Sequence, residues 1–227
     1  MLFDGTYSLD DFLLFSEEVY WRLFEVHNAA FWPLVPLAAI SSVLLLYPWL
    51  FGTDRQRRIT VLAAAAAWFC VSYAFFWLSY ATINWAAVYL VPLFVAEGLL
   101  LLLLAARQRP WTVSLKTGPG AAGTTLMLYG FVLYPLQGLA VGRRLEAVQL
   151  FGLAPDPTAL ATLGFLIAGG RGWLARTCLI APVVWCLLSA TTLYALGSWE
   201  AWPLAAAALF SLILCPLMRG TKGAAGL

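Results

Sequence analysis

The sequence predicts an all-α fold, a polytopic bundle of about seven transmembrane helices, and two observations lead to it. First, 63% of the 227 residues are hydrophobic and only 11% are charged. Soluble domains carry about 25% charged residues, so the surface of this chain must largely face lipid. Second, apolar stretches recur along the whole chain, and a helix needs about 20 apolar residues to cross the hydrocarbon core. No soluble domain fits between these stretches.

The apolar stretches and the turn signals between them predict seven helices. The helices are predicted at 29–51, 59–80, 86–106, 121–141, 158–170, 177–196 and 201–218. They form one transmembrane domain, 29–218, between an N-terminal segment, 1–28, and a tail, 219–227. "LYPLQGLAVG" places Pro135 and Gly138 in the fourth helix and predicts a kink there.

The distribution of charged residues predicts the orientation. The connections after the first, third, fifth and seventh helices hold ten basic residues and one acid, whereas the opposite side holds three basic residues and nine acids. Basic residues remain on the cytoplasmic side of a membrane. The N-terminus is therefore predicted outside and the C-terminus in the cytoplasm, which requires an odd number of spans.

The N-terminal segment predicts an amphipathic helix that lies at the outer membrane surface. Its apolar stripe recurs every three or four residues and consists of Val19, Tyr20, Leu23, Phe24 and His27. Ser16 is predicted to cap this helix, and Ser8 a shorter helix before it. The acidic polar face favours contact with protein, either the outer turns that carry Arg143 and Arg144 or a partner.

The chain contains a single histidine, His27. One histidine cannot supply both axial ligands of a haem or a histidine-rich copper or zinc site. The four cysteines form no CxxC pair, and we find no nucleotide-binding, serine–histidine or paired-acid motif. The sequence therefore predicts no metal, no cofactor, no enzymatic activity and no nucleic-acid partner. His27 and Asn28 line an outer vestibule in one interpretation, and form an interfacial polar pair in the other.

An acidic residue stands in the middle of the third predicted helix, in "VAEGLLLLLL" (95–104). A charge at this depth costs about 2.5–3.5 kcal/mol by insertion scales, and no predicted span holds a lysine or arginine that could pair with Glu97. Desolvation favours the neutral acid. The predicted hydrogen-bond partners are Ser72, Tyr73, Tyr129, Tyr134, Gln137 and Ser211. Two interpretations stay open: a proton or cation site, or a protonated acid that joins two helices.

The fifth predicted helix is interrupted at its start, "LFGLAPDPT" (150–158). It spans only about 20 Å. Asp156 is predicted as its N-cap and Pro157 as its first residue. The apolar stretch 147–154 is predicted to enter the membrane as a re-entrant segment; the alternative is a bilayer that is thinned locally. We assign a proton, ion or substrate pathway to Glu97, Gln137, Asp156, Tyr73 and Tyr134.

Four motifs in this order resemble those of an uncharacterised family of small bacterial polytopic membrane proteins of unknown function. They are "FSEEVYWRLFEVHNAAFWP", "ATINWAA", "LYPLQG" and "FGLAPDPT", and the resemblance extends from Phe15 to Met218. It implies a multi-pass protein of the bacterial inner membrane. It implies no activity.

Two functions therefore compete at this level. The first is a small transporter or proton-linked permease that uses the intramembrane carboxylate of Glu97. The second is an accessory or assembly subunit of a larger inner-membrane complex. The expected partners are the lipid bilayer and, for the second function, other membrane subunits or further copies of the chain.

Overall fold

The computed structural model describes residues 14–108 and 110–218. The helix predicted after Ser8, Arg109 and the predicted tail 219–227 lie outside the described residues. Within the described residues the chain is all-α and contains no strand. We number its helices α1 Glu17–Ala30, α2 Leu34–Phe51, α3 Asp54–Thr82, α4 Trp85–Arg107, α5 118–140, α6 Pro155–Gly169, α7 Gly172–Ala195 and α8 Ala201–Leu217.

Four of these helices, α2, α3, α4 and α7, are long and apolar enough to cross a membrane. α8 is also apolar but shorter. Large apolar side chains are exposed along the bundle, among them Leu37, Leu44, Leu99 and Ile213. An apolar surface of this extent is unfavourable in water and suits a helix bundle surrounded by lipid.

Helix α1 begins at Ser16, whose hydroxyl accepts a hydrogen bond from the Val19 N–H, so the predicted cap is confirmed. One face of α1 is buried and consists of Tyr20, Leu23, Phe24, His27 and Asn28. This face packs on the turn Leu145–Ala147 and on the second half of α3. α1 therefore covers one end of the bundle, which we call the α1 end.

The opposite end, which we call the arginine end, is held by side chains that bond backbone groups of other segments. Arg57 donates to the carbonyl oxygens of Trp49 (3.0 Å) and Trp111 (3.2 Å). Gln108 donates to the Gly169 carbonyl (2.7 Å) and accepts from the Arg171 N–H (2.8 Å). The bonds to Trp49 and Gly169 satisfy carbonyl groups that α2 and α6 leave free at their C-termini.

Helix α6 is the centre of the bundle. All of its residues except Ala168 are buried, and its sequence is apolar on every side, which is typical of a helix surrounded by others. It packs most extensively on α5. The two backbones approach closely because Gly123 and Gly164 face each other: a Cβ on Gly164 would lie 2.6 Å from the Gly123 carbonyl oxygen.

Gly164→Ala is therefore expected to destabilise the bundle by about 1–3 kcal/mol, because overpacking forces the two helices apart. The matched control is Gly118→Ala in α5, where a Cβ would meet nothing within 4 Å. The control should unfold at the wild-type temperature or slightly above it. Thermal unfolding in detergent compares the two variants; equal midpoints would show that the α5–α6 contact is not tight.

Several helices depart from regular α geometry. α3 continues as a π-helix over Val71–Ser79, and α4 starts with a 3₁₀-helix over Trp85–Leu90. In α5, where the sequence predicts a kink, a π-helix at Tyr129–Leu133 ends two residues before Pro135. Such segments are frequent at functional sites.

Candidate functional site

The chain between α5 and α6 forms a short 3₁₀-helix at Leu145–Ala147 and then enters the bundle without helical structure. Ala147, Leu150, Phe151, Leu153 and Ala154 are buried. Gly152 has φ +83°, a conformation that favours glycine, and its Cβ position lies 3.5 Å from Ala67 of α3. Ala67 is about 20 Å from the Asp54 end of its helix at 1.5 Å per residue. Helix α6 therefore begins inside the bundle and below the α1 end.

Two side chains satisfy backbone groups of this buried segment. The Thr158 hydroxyl accepts from the Gly152 N–H (2.8 Å) and donates to the Ala154 carbonyl (2.7 Å). Asn28 of α1 donates to the carbonyl oxygens of Glu146 (2.7 Å) and Val148 (2.8 Å). Because unpaired backbone groups are costly away from water, these bonds make the non-helical path possible.

Asp156 lies at the start of α6, but it is not the N-cap that the sequence predicts. Ala154 occupies the N-cap position, Pro155 is the first helical residue and Asp156 the second. The Asp156 carboxylate instead accepts from the Tyr134 hydroxyl (2.6 Å) and the Trp185 indole N–H (2.8 Å). These donors on α5 and α7 draw the carboxylate away from its own backbone. The side chain is fully buried.

An aromatic layer adjoins this carboxylate. Trp185 makes edge-to-face contacts with Phe76 (5.0 Å between ring centroids) and Phe94 (5.6 Å). Phe94 also packs on Trp68 (4.4 Å), whose indole N–H donates to the Thr162 hydroxyl of α6 (2.8 Å). Phe94 precedes Glu97 by one helical turn on α4. The layer therefore lies between Asp156 and the turn of α4 that carries Glu97.

Glu97 is fully buried, and neither of its carboxylate oxygens has a hydrogen-bond partner among the residues that the structure describes. None of the six predicted partners reaches it. Ser72, for example, donates to the Val91 carbonyl instead (3.1 Å). The adjacent Gly98 faces the Phe69 ring. Glu97 thus sits in an apolar environment, and both interpretations of its role stay open.

The other residues assigned to the pathway have separate surroundings. Gln137 accepts from the Tyr129 hydroxyl (2.6 Å), one helical turn from Tyr134. Tyr73 is 62% exposed on the outside of α3. The structure therefore brings Tyr134 to Asp156 and places Gln137 on the next turn of α5, whereas Glu97 and Tyr73 lie apart from that pair.

At the α1 end an ion pair lies above Asp156. Arg143 binds both carboxylate oxygens of Glu200, with an Nη1–Oε1 distance of 2.8 Å. The side chains are 17% and 1% exposed, respectively. The Arg143 guanidinium also lies 3.3 Å from the centroid of the Trp21 ring on α1. Helix α1 is thus attached to the loop before α6 and to the start of α8.

Tyr20 is buried close enough to this ion pair and to Asp156 for their charges to act on its hydroxyl group. Burial raises the pKa of the Tyr20 hydroxyl well above its ordinary value, and the nearby charge of Asp156 raises it further. Tyr80 and Glu200 act in the same direction. A cluster of acids and tyrosines therefore extends from Asp156 towards the α1 end.

His27 and Asn28 both lie on the buried face of α1. The His27 ring contacts Phe31 and Phe75, and its Nδ1 lies 2.8 Å from the Ser79 hydroxyl. That hydroxyl also lies 3.0 Å from the Ala74 carbonyl oxygen. Burial lowers the pKa of His27 to about 4, although the Leu153 backbone opposes this change.

The pKa of His27 makes the fold sensitive to acid. The folded protein favours the neutral ring, so the stabilisation is present above the ordinary pKa of 6.5 and is lost as the pH falls towards 4. The loss is expected to reach about 3 kcal/mol at most. Thermal unfolding across this pH range should show a steeper decline for wild type than for His27→Gln. Parallel declines would contradict the assignment.

The sequence did not point to Trp185 or to the pairing of Arg143 with Glu200. Tryptophan in membrane proteins usually occurs near the ends of spans, whereas Trp185 lies in the middle of α7. This unusual position is the feature of the sequence that could have indicated its role. Arg143 and Glu200 are distant in sequence, so their contact depends on the packing of the helices. Among residues 14–108 and 110–218, no group of three or more metal-ligating side chains could hold a metal ion.

Comparison with known proteins finds one family model, described as "Family of unknown function (DUF6064)", which matches residues 17–224. The match confirms the resemblance to an uncharacterised family. No curated protein and no solved structure matches the chain.

Proposed function

The chain belongs to this family of unknown function, and we propose that it is a small permease of the bacterial inner membrane that couples transport to proton movement. The observation that carries the proposal is Asp156, a fully buried carboxylate at the interrupted start of α6, held by two neutral donors. Acidic residues inside a membrane bundle are costly, and in most proteins they mark an ion or proton pathway.

In this proposal α2 to α8 are seven membrane spans, and α1 lies at the outer surface. The orientation is supported by charge. The arginine end carries Arg55, Arg57, Arg58, Arg107, Lys116, Arg171 and Arg176. The α1 end carries more acids than bases, with Glu17, Glu18, Glu25, Glu146 and Glu200 against three arginines. The arginine end is therefore assigned to the cytoplasm.

The proposed proton route begins at the Arg143–Glu200 pair and passes the Tyr134 hydroxyl to reach Asp156. The aromatic layer of Phe76, Phe94 and Trp185 separates Asp156 from Glu97. A proton that reaches Glu97 must therefore cross this layer when the helices rearrange. Glu97 lies closer to the arginine end, about 15 Å from Arg107 along α4, and is the second station of the route.

The irregular helices supply the segments that rearrange. The π-helix Val71–Ser79 holds Phe76 of the aromatic layer, and the π-helix Tyr129–Leu133 directly precedes Tyr134. Their hydrogen-bonding pattern differs from the regular α-helix, so a local return to α geometry would shift the register of the following residues. Such a shift in α5 would move Tyr134 relative to Asp156.

Charge displacement in proteoliposomes on a solid-supported membrane tests the proposal without knowledge of the substrate. A step in external pH from alkaline to neutral should evoke a transient current in wild type, as protons enter the buried sites. Asp156→Asn and Glu97→Gln should reduce the displaced charge strongly. Tyr89→Phe, a control whose side chain is exposed on α4 and has no assigned role, should leave it unchanged. A wild-type protein that is folded in the vesicles but gives no current above empty liposomes would refute the proposal.

One observation favours an accessory subunit as the second candidate. Only 11% of the α2 span is buried in the bundle, the smallest share among the four membrane-length helices. Its surface is therefore available to a helix of another protein or of a second copy. Extraction in mild detergent and native mass spectrometry test this candidate. A stoichiometric partner, together with the absence of a current after a pH step, would favour the accessory subunit over the permease.

A further inference from the structure

A small cavity lies at the α1 end, between α5 and the loop that precedes α6. Its volume is about 10 Å³, and its lining includes Tyr134, Gly138, Arg143, Gln149 and Glu200. One water molecule needs at least about 10–15 Å³ by this measure. The cavity therefore has room for a single water molecule and for no larger ligand.

The lining contains a polar group that lacks a partner. Gln149 is 5% exposed, and its side-chain oxygen accepts no hydrogen bond from any residue that the structure describes. A buried acceptor without a donor costs about 1–3 kcal/mol. Buried waters usually occupy sites of this kind, where they make two to four hydrogen bonds with protein groups.

The remaining lining supplies further partners. Arg143 donates to both oxygens of Glu200, and these carboxylate oxygens retain free lone pairs. Tyr134 donates its hydroxyl hydrogen to Asp156, so the same oxygen can still accept a hydrogen bond. The Arg143 guanidinium disfavours a cation here and the paired Glu200 carboxylate disfavours an anion, so the occupant is neutral.

We propose that one ordered water molecule occupies this cavity, donates to the Gln149 oxygen and joins the Arg143–Glu200 pair to Tyr134. The water thereby continues the hydrogen-bonded chain from Asp156 to the α1 end. Its role as a step of the proton route rests on the proposed function, whereas its presence does not.

Gly138→Ala is the variant that tests the site. The added Cβ would lie 3.4 Å from Nη1 and 3.6 Å from Cδ of Arg143, which its neighbours can accommodate. The methyl group therefore fills the space next to Arg143 that the water would use. Gly118→Ala at the other end of α5 adds the same methyl group in open space. Gln149→Leu is a second variant, which removes the unpaired acceptor.

Hydroxyl-radical footprinting with mass spectrometry measures the water, because radicals formed from an ordered water modify the side chains beside it. Tyr134 should be labelled in wild type and in Gly118→Ala, although it is buried. Labelling of Tyr134 should fall several-fold in Gly138→Ala and in Gln149→Leu. Phe165, which is buried and outside the cavity lining, should stay unlabelled in every sample and report a folded bundle.

Two results would overturn the proposal. The first is the absence of Tyr134 labelling in folded wild type. The second is equal labelling of wild type and of both cavity variants. The pH-step currents test the permease function separately. If no current is observed but Tyr134 is labelled, the permease proposal is refuted and the proposal of the ordered water stands.

Discussion

Arg143→Met is expected to lower the free energy of unfolding by about 3–5 kcal/mol. The substitution leaves the Glu200 carboxylate, 1% exposed, without its cation. It also removes the guanidinium from the Trp21 ring, so α1 loses one of its contacts with the loop before α6, while the bonds from Asn28 remain. Denaturant or thermal unfolding in detergent measures the loss.

Two controls separate the ion pair from a general effect of the substitution. Arg144→Met alters the next residue, whose contact with Glu146 is exposed on both sides; such pairs contribute about 0–1 kcal/mol. The double variant Arg143→Met with Glu200→Met removes both charges and should recover most of the lost stability. A double variant no more stable than Arg143→Met would mean that Glu200 is not the group left uncompensated.

Asp156→Ala is expected to cost about 2–5 kcal/mol, because it leaves the Tyr134 hydroxyl and the Trp185 indole N–H buried without an acceptor. Asp156→Asn should cost less, since its amide oxygen can still accept one of the two bonds. The unfolding midpoints of the purified variants show which of the two substitutions destabilises the protein more.

The partner variant Tyr134→Phe tests the origin of this cost. Added to Asp156→Ala, it removes one of the two donors that lack an acceptor, so the double variant should be at least as stable as Asp156→Ala alone. Additive losses from the two substitutions would indicate that Tyr134 and Asp156 act independently.

The helices could largely be anticipated from the sequence because their signals are local. Apolar stretches and capping residues identify where helices occur, as Ser16 does for α1. The observed boundary differs from the predicted one by a few residues where a further capping motif extends the helix. The Thr53–Gln56 capping box, for example, starts α3 at Asp54 rather than at the predicted residue 59.

The site depends on contacts that no local pattern contains. Asp156 follows a proline and precedes another, which favours an N-cap, yet Tyr134 and Trp185 bind its carboxylate from two other helices. The partners predicted for Glu97 share with it only their predicted depth in the membrane. Depth does not determine which face of a helix a side chain occupies, and Tyr73 lies on the exposed face.

The interrupted start of α6 has features that the sequence indicates and features that only the fold explains. Its proline-flanked acid and its short apolar helix are visible in the sequence, and they indicate a helix that begins within the bundle. The means by which the buried loop is tolerated, the bonds from Asn28 and Thr158, needs the fold. Sequence reasoning therefore located the unusual segment, and tertiary packing explains how it is stabilised.

Protons from the outer solution are expected to reach the buried carboxylates of Asp156 and Glu97. Infrared difference spectra between alkaline and neutral buffer measure this proton uptake directly through the C=O band of protonated carboxyl groups. We predict a band that shifts in D₂O, loses intensity in Asp156→Asn or Glu97→Gln, and is unchanged in Tyr89→Phe, whose side chain is exposed. A band identical in wild type and in the double variant Asp156→Asn with Glu97→Gln would contradict the account.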